Sequence, residues 1–389
     1  MILFKNAIIH TVSSTGTIKG DLLIKDGKIV EIGENVSHPD ARVIDAGGLH
    51  IYPGLIDIHT HLGIYEENAG WAGADGNEYS EPVTPHLRAL DAINPDDPAF
   101  FDAYANGITT VNIFPGSANI IGGLGVAVKT YGKKLKDRIV KEPSGLKMAF
   151  GENPKRVYSS KNILPSTRLG NAAVARKALL EAFNYYKKNE NSKNDPRKFK
   201  LNLEAIKGVF EGKYPARIHS HRADDIITAW RIMNEFDLKF AIEHCTEGHL
   251  IADFIGEKKI PCALGPSIST KIKQELKNIT FKTAKALYDN DVLFAFITDA
   301  PVIPIYTLPL EAALAVREGL PEDEAIKAMT INAARILGVD NRLGSIEKGK
   351  DADITITDTS ILDPLHRVIY TVIDGEIVFD LKKYGKVVI

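Results

Sequence analysis

Cysteine is scarce in this sequence: Cys245 and Cys262 are the only two in 389 residues. That excludes a small secreted scaffold stapled by disulfides, and a reducing, cytoplasmic compartment is the expectation. A surplus of charge is also missing. Forty-eight Lys and Arg oppose 50 Asp and Glu, a net charge of -2, so no global field recruits nucleic acid or an anionic membrane. No apolar run approaches the roughly 18 residues of a membrane span. The opening "MILFKNAIIH" breaks its apolar character with Lys5 and Asn6, which argues against a signal peptide. There is no internal repeat. A dinucleotide site needs a glycine fingerprint after its first strand, and "IDIHTHLG" has none. The "GGLG" at 122–125 lacks the Lys-Ser/Thr of a phosphate loop. No Ser or Cys nucleophile is paired with a general base.

What remains is an ordinary globular composition, 44% hydrophobic and 25% charged. The two ends share one grammar. "DLLIKDGKIVEIG" is a hairpin about Asp26-Gly27, and "TVIDGEIVFD" is a hairpin about Asp374-Gly375. The expectation is one small β-sandwich domain built from residues 1–54 and 341–389. Between them, 55–340 alternates short apolar or β-branched runs with helical stretches. The runs are "LIDIH", "GITTVNIF", "VAVKTY", "GLKMAFG", "ARIHSH", "KFAIEH", "PCALG" and "LFAFITD". Eight such runs point to an α/β fold, a (β/α)8 TIM barrel. A helical excursion fills 155–215, with an exposed tip at the charged "KKNENSKNDPRKFK".

The histidines are placed unevenly. Alternate residues of a strand share a face, so His59 and His61 project together at the end of the first run. His219 and His221 end the fifth run, His244 the sixth and Asp299 the eighth; Glu152 follows the fourth. Five of the eleven histidines therefore lie where a barrel carries its site. Such a cluster suits a divalent metal, and imidazole suits zinc, nickel, iron or copper. Cys245, next to His244, faces the other way and reads as packing. His249 lies beyond a turn and reads as peripheral.

The chain resembles the amidohydrolase superfamily over nearly its whole length. Pro53-Gly54-Leu55-Ile56-Asp57 leads into His59-X-His61, and His219, His244 and Asp299 follow in order; "LGSIEKGKDADITI" looks like the return to the small domain. The imidazolonepropionase-like and Xaa-Pro-dipeptidase-like branch is the most similar, in a subgroup with no settled substrate. The resemblance implies His59, His61, His219, His244 and Asp299 as ligands of one or two metal ions per chain, zinc being the expected one, with His219 preferred over His221. It also implies a fourth-strand bridge, either a carboxylated lysine or a glutamate. Lys147 sits at the start of its run and Glu152 at the far end, so Glu152 is the expected bridge.

The implied chemistry is metal-assisted hydrolysis of a C–N bond in a small molecule, with Asp299 passing the water proton to the leaving nitrogen. His221, Asn119, Arg156 and Arg222 are the expected substrate contacts, the arginines through a carboxylate. Ser117 also faces the expected mouth. The glycine-rich segment around Trp71 is long enough for a lid. A homo-oligomer follows from the resemblance alone. The other readings are an Xaa-Pro-type dipeptidase, a metal-dependent lyase or isomerase, and a non-catalytic scaffold that keeps the barrel.

Overall fold

The computed structural model of the chain describes residues 1–189 and 199–384. Most of the expected charged tip, 190–198, lies outside the described residues. The N-terminal segment supplies β1 (Ile2–His10), β2 (Thr17–Lys25), β3 (Lys28–Gly33), β4 (Arg42–Asp45) and β5 (His50–Pro53). Eight barrel strands follow: β6 (Leu55–Thr60), β7 (Ile108–Ile113), β8 (Ile121–Lys129), β9 (Ile139–Ala149), β10 (Ala216–Ser220), β11 (Phe240–His244), β12 (Cys262–Leu264) and β13 (Phe294–Phe296). The chain then returns through β14 (Ile354–Thr357), β15 (Val368–Ile373) and β16 (Glu376–Asp380).

The terminal strands form one sheet in the order β16-β15-β14-β5-β1-β2-β3, with β4 paired to β1. It curls around its own core, which includes Phe4, Leu22, Ile51, Ile354 and Val372. The two hairpin turns meet as it curls: a Cβ on Gly375 would lie 3.0 Å from Gly27 Cα. Both glycines have φ of 75°, a conformation that other residues adopt only with strain. This sheet and the barrel make the mixed α/β architecture that the alternation implied.

The second sheet runs β13-β12-β11-β10-β9-β8-β7-β6, and all eight expected runs lie on its strands. One differs from a simple (β/α)8 repeat, because β8 is antiparallel to both β7 and β9. Only residues 114–120 join β7 to β8, and only 130–138 join β8 to β9. Each link is too short for a parallel crossover, which needs roughly a dozen residues or more. Backbone bonds outside the ladders tie β6 to the segment after β13: Asp299 N–H to His59 O at 3.2 Å, and His61 N–H to Ala300 O at 2.7 Å. The seam of the barrel is therefore sewn at residues that the sequence marks for chemistry.

Reversal of β8 carries its last residue, Lys129, away from the strand ends that hold the histidines and into the terminal sheet. There the buried Nζ lies 3.1 Å from both Asp351 and Asp353 and also touches Asp374. Lys28 and Arg342 complete the charge balance on Asp351. Burial, opposed by Lys129, raises Asp353 to about 6. Removing one member of a buried ion cluster leaves the others uncompensated. Lys129→Met should therefore cost ~3–5 kcal/mol in denaturant unfolding. Asp353→Asn should cost clearly less, because that carboxylate already binds its proton readily; equal losses would contradict this description of the cluster.

Candidate metal centre

Two groups of potential ligands face each other at one end of the barrel. Within His59, His61 and Asp299 the ligand atoms lie within 4.8 Å of one another, and the same holds within His219, His221 and His244. The groups adjoin, with the His59 and His244 rings 4.9 Å apart. His59 is fully buried beneath the floor of a cavity of about 460 Å3, and the other five line that cavity.

The orientation of each imidazole is fixed by its Nδ1. That of His61 meets Phe114 O at 2.7 Å, and that of His244 meets Gly265 O at 2.9 Å. A carbonyl only accepts, so both rings carry the proton on Nδ1 and aim an Nε2 lone pair at the centre. His59 Nδ1 contacts Glu243 Oε2 at 2.6 Å, and His221 Nδ1 contacts Thr246 Oγ1 at 2.8 Å. His219 Nδ1 is buried and has no hydrogen-bond partner among the described residues. Asp299 Oδ1 lies 3.3 Å from His59 Nε2 and 3.2 Å from His61 Nε2. Lone pairs from three acceptors thus converge on one point, an arrangement that a cation relieves. The donor set suits a divalent metal.

Electrostatics agree. Burial lowers His61, holds His244 down at about 3, and keeps His219 and His221 well below the usual range; the rings are neutral, as ligation requires. Two of the candidate ligands have strained backbone: φ is 72° at His244 and 56° at Asp299.

The structure does not bring Glu152 to either group. Gly151, at φ 84°, turns the chain out of the barrel, and Glu152 begins the helix Glu152–Ser159 beside a neighbouring groove. Lys147 occupies the centre instead. Strand β9 begins at Ile139, so Lys147 lies near its end, in register with Arg217. Its Nζ is 3.0 Å from His59 Nε2, and burial lowers it to about 8. Asn119 is buried behind the mouth, where its Nδ2 donates to Glu78 O and Thr84 Oγ1, each at 2.8 Å; it pins loops and does not face the cavity. Arg222 is taken up by Asp224 two residues on, at 3.0 Å. His221, Arg156 and Ser117 do line the cavity. His249 bonds Thr283 outside it, Cys245 packs in the core, and Trp71 is 94% exposed.

Sequence reasoning passed over two groups. Arg217 and Glu243, both fully buried, form an ion pair behind His59. Burial alone would raise Glu243, but Arg217 and His59 outweigh it and hold it down at about 2. The sequence signal was a charged residue inside each of two apolar strands, which demands a partner. Lys273 also reaches the cavity, 3.2 Å from His221 Nε2.

Comparison with known proteins gives the chain a family. The Amidohydrolase family model matches residues 217–387. A crystal structure of an amidohydrolase from Thermotoga maritima MSB8 is 45% identical, with a TM-score of 0.95, over 98% of this chain and 100% of that one. The chain belongs to the amidohydrolase family. Among curated relatives, amidohydrolase tasK of Hapsidospora irregularis is 28% identical over 93% of this chain, and adenine deaminase of Clostridium perfringens is 26% identical over 98%. The match spans only 40% of the first relative's length and 59% of the second's.

Glu243 orients His59 much as a carboxylate orients a ligating imidazole in many metal sites, and loss of such a partner weakens binding about 10–100-fold. Glu243→Gln should therefore reduce zinc affinity by about that factor in chelator competition. Unchanged affinity would reduce the pair to packing.

Proposed function

We propose that the chain is a metal-dependent hydrolase of a C–N bond in a small molecule. The convergence of His59 Nε2, His61 Nε2 and Asp299 Oδ1 on one point carries the reading. The cavity volume of about 460 Å3 is of small-molecule size. The chemistry of the relatives' names, deamination among them, supports the same bond class.

On this reading His59, His61 and Asp299 would hold one ion, and His219 and His244 would hold a second, with His221 beside them. Zinc is the preferred ion for an imidazole-rich set. Lys147, whose Nζ lies 3.0 Å from His59 Nε2, and not Glu152, is the fourth-strand residue that would complete this set. An ammonium there competes with a cation, whereas the carbamate that its neutral amine would form with carbon dioxide, releasing one proton to solvent, would attract one. When bound, a divalent cation supplies Lewis acidity and acidifies water. The remaining work falls to the chain. Asp299 would take the water proton on its other carboxylate oxygen, the one not aimed at His59 and His61, and deliver it to the leaving nitrogen. The buried His59, Lys147 and Glu243 close the floor against bulk solvent.

Elemental analysis tests the assignment. Wild type purified without chelator should carry two equivalents of metal and lose at least one in Lys147→Ala, while Glu152→Ala keeps both. Loss in Glu152→Ala with retention in Lys147→Ala would reverse it. Against a panel of cyclic amides, dipeptides and aminopurines, Asp299→Asn should lower kcat about 10²–10⁴-fold on any compound turned over. Near-normal turnover would remove Asp299 from proton transfer.

A further inference from the structure

The cavity has a second set of groups that metal binding does not use. The helix Glu152–Ser159 projects Asn153 and Arg156 into it, and the loop after β12 projects Lys273. Glu275, 2% exposed, fastens that loop to the helix: it accepts the Glu152 N–H at 2.5 Å and pairs with Lys273 Nζ at 3.2 Å. Lys273 Nζ is thereby set 3.4 Å from Asn153 Oδ1 and 3.2 Å from His221 Nε2, directly beside the candidate ligands. Arg156 makes no ion pair among the described residues and lines both this cavity and the neighbouring groove. Lys273 and Arg156 are the cationic side chains that line this cavity; Glu275 pairs with Lys273 behind the rim, and Asp299 lies among the histidines. Apolar side chains share the rim, with Ile272 81% and Val302 60% exposed.

We propose that the site selects substrates bearing a carboxylate, held by Lys273 and Arg156, together with an apolar group that covers Ile272 and Val302. The inference rests on the hydrolase reading and names the class of compound it acts on. A guanidinium and an ammonium on separate elements fix an anion in both position and orientation, which places the scissile bond relative to the histidines. The exposed Ile272 and Val302 gain burial only when an apolar group lies on them.

Binding of 4-phenylbutyrate and of 4-phenyl-1-butanol to the metal-loaded protein tests this by calorimetry. Neither probe has a C–N bond, so the result does not depend on turnover; failure of the hydrolase reading would show separately, as binding without hydrolysis of any amide. The carboxylate should bind about ten-fold or more tighter than the alcohol. The preference should fall in Lys273→Met and in Arg156→Met and persist in Lys273→Arg, with metal content unchanged in all three. Equal affinity, or no binding of either probe at millimolar concentration, overturns the proposal. A preference that survives both methionine variants also overturns it, because the carboxylate would then sit on the metal.

Discussion

Everything at the active end of this barrel depends on one electrostatic demand: lone pairs aimed at each other with no proton between them. Phe114 and Gly265 offer only carbonyl oxygens, so His61 and His244 must spend their protons outward. The inward nitrogens are then acceptors, and the ionised Asp299 adds another. Buried acceptors that meet without a donor are costly. Lys147 answers part of that demand in the chain itself, and a divalent cation answers it more fully.

The scaffold is shaped to hold this conflict. Backbone bonds across the barrel seam clamp His59 and His61 against the segment of Asp299. Asp57 adds to the clamp by accepting from Thr298 N at 3.0 Å and Thr298 Oγ1 at 2.6 Å. The strained backbone of His244 and Asp299 is held by these surroundings, as ligand-bearing residues often are. At the opposite end the reversed β8 anchors the barrel to the terminal sheet through Lys129, so rigidity at the site does not rest on loops alone.

Much of this was legible in the residues. Eight apolar runs matched eight strands because buried barrel strands read as short β-branched segments between helices. The paired histidines share a face because strand period is two. Strand direction was less visible, since composition does not encode it; the short 114–120 link was the clue. Lys147 was placed at the wrong end of its strand because "IVKEP" carries two charges and Pro143, which disguise the first half of β9. With its true start at Ile139, Lys147 falls beside the histidines. Gly151-Glu152-Asn153-Pro154 reads as a helix start, and a helix start leads away from the floor. Arg222 had an acidic neighbour two residues on, a local pairing visible without a structure.

The most direct measurement is anomalous diffraction at the zinc edge from crystals grown with zinc and bicarbonate. The account predicts two peaks, one bounded by His59, His61 and Asp299 and one by His219 and His244, with carbamate density on Lys147 between them. Absence of both peaks, or zinc bound only outside these two groups, would contradict it.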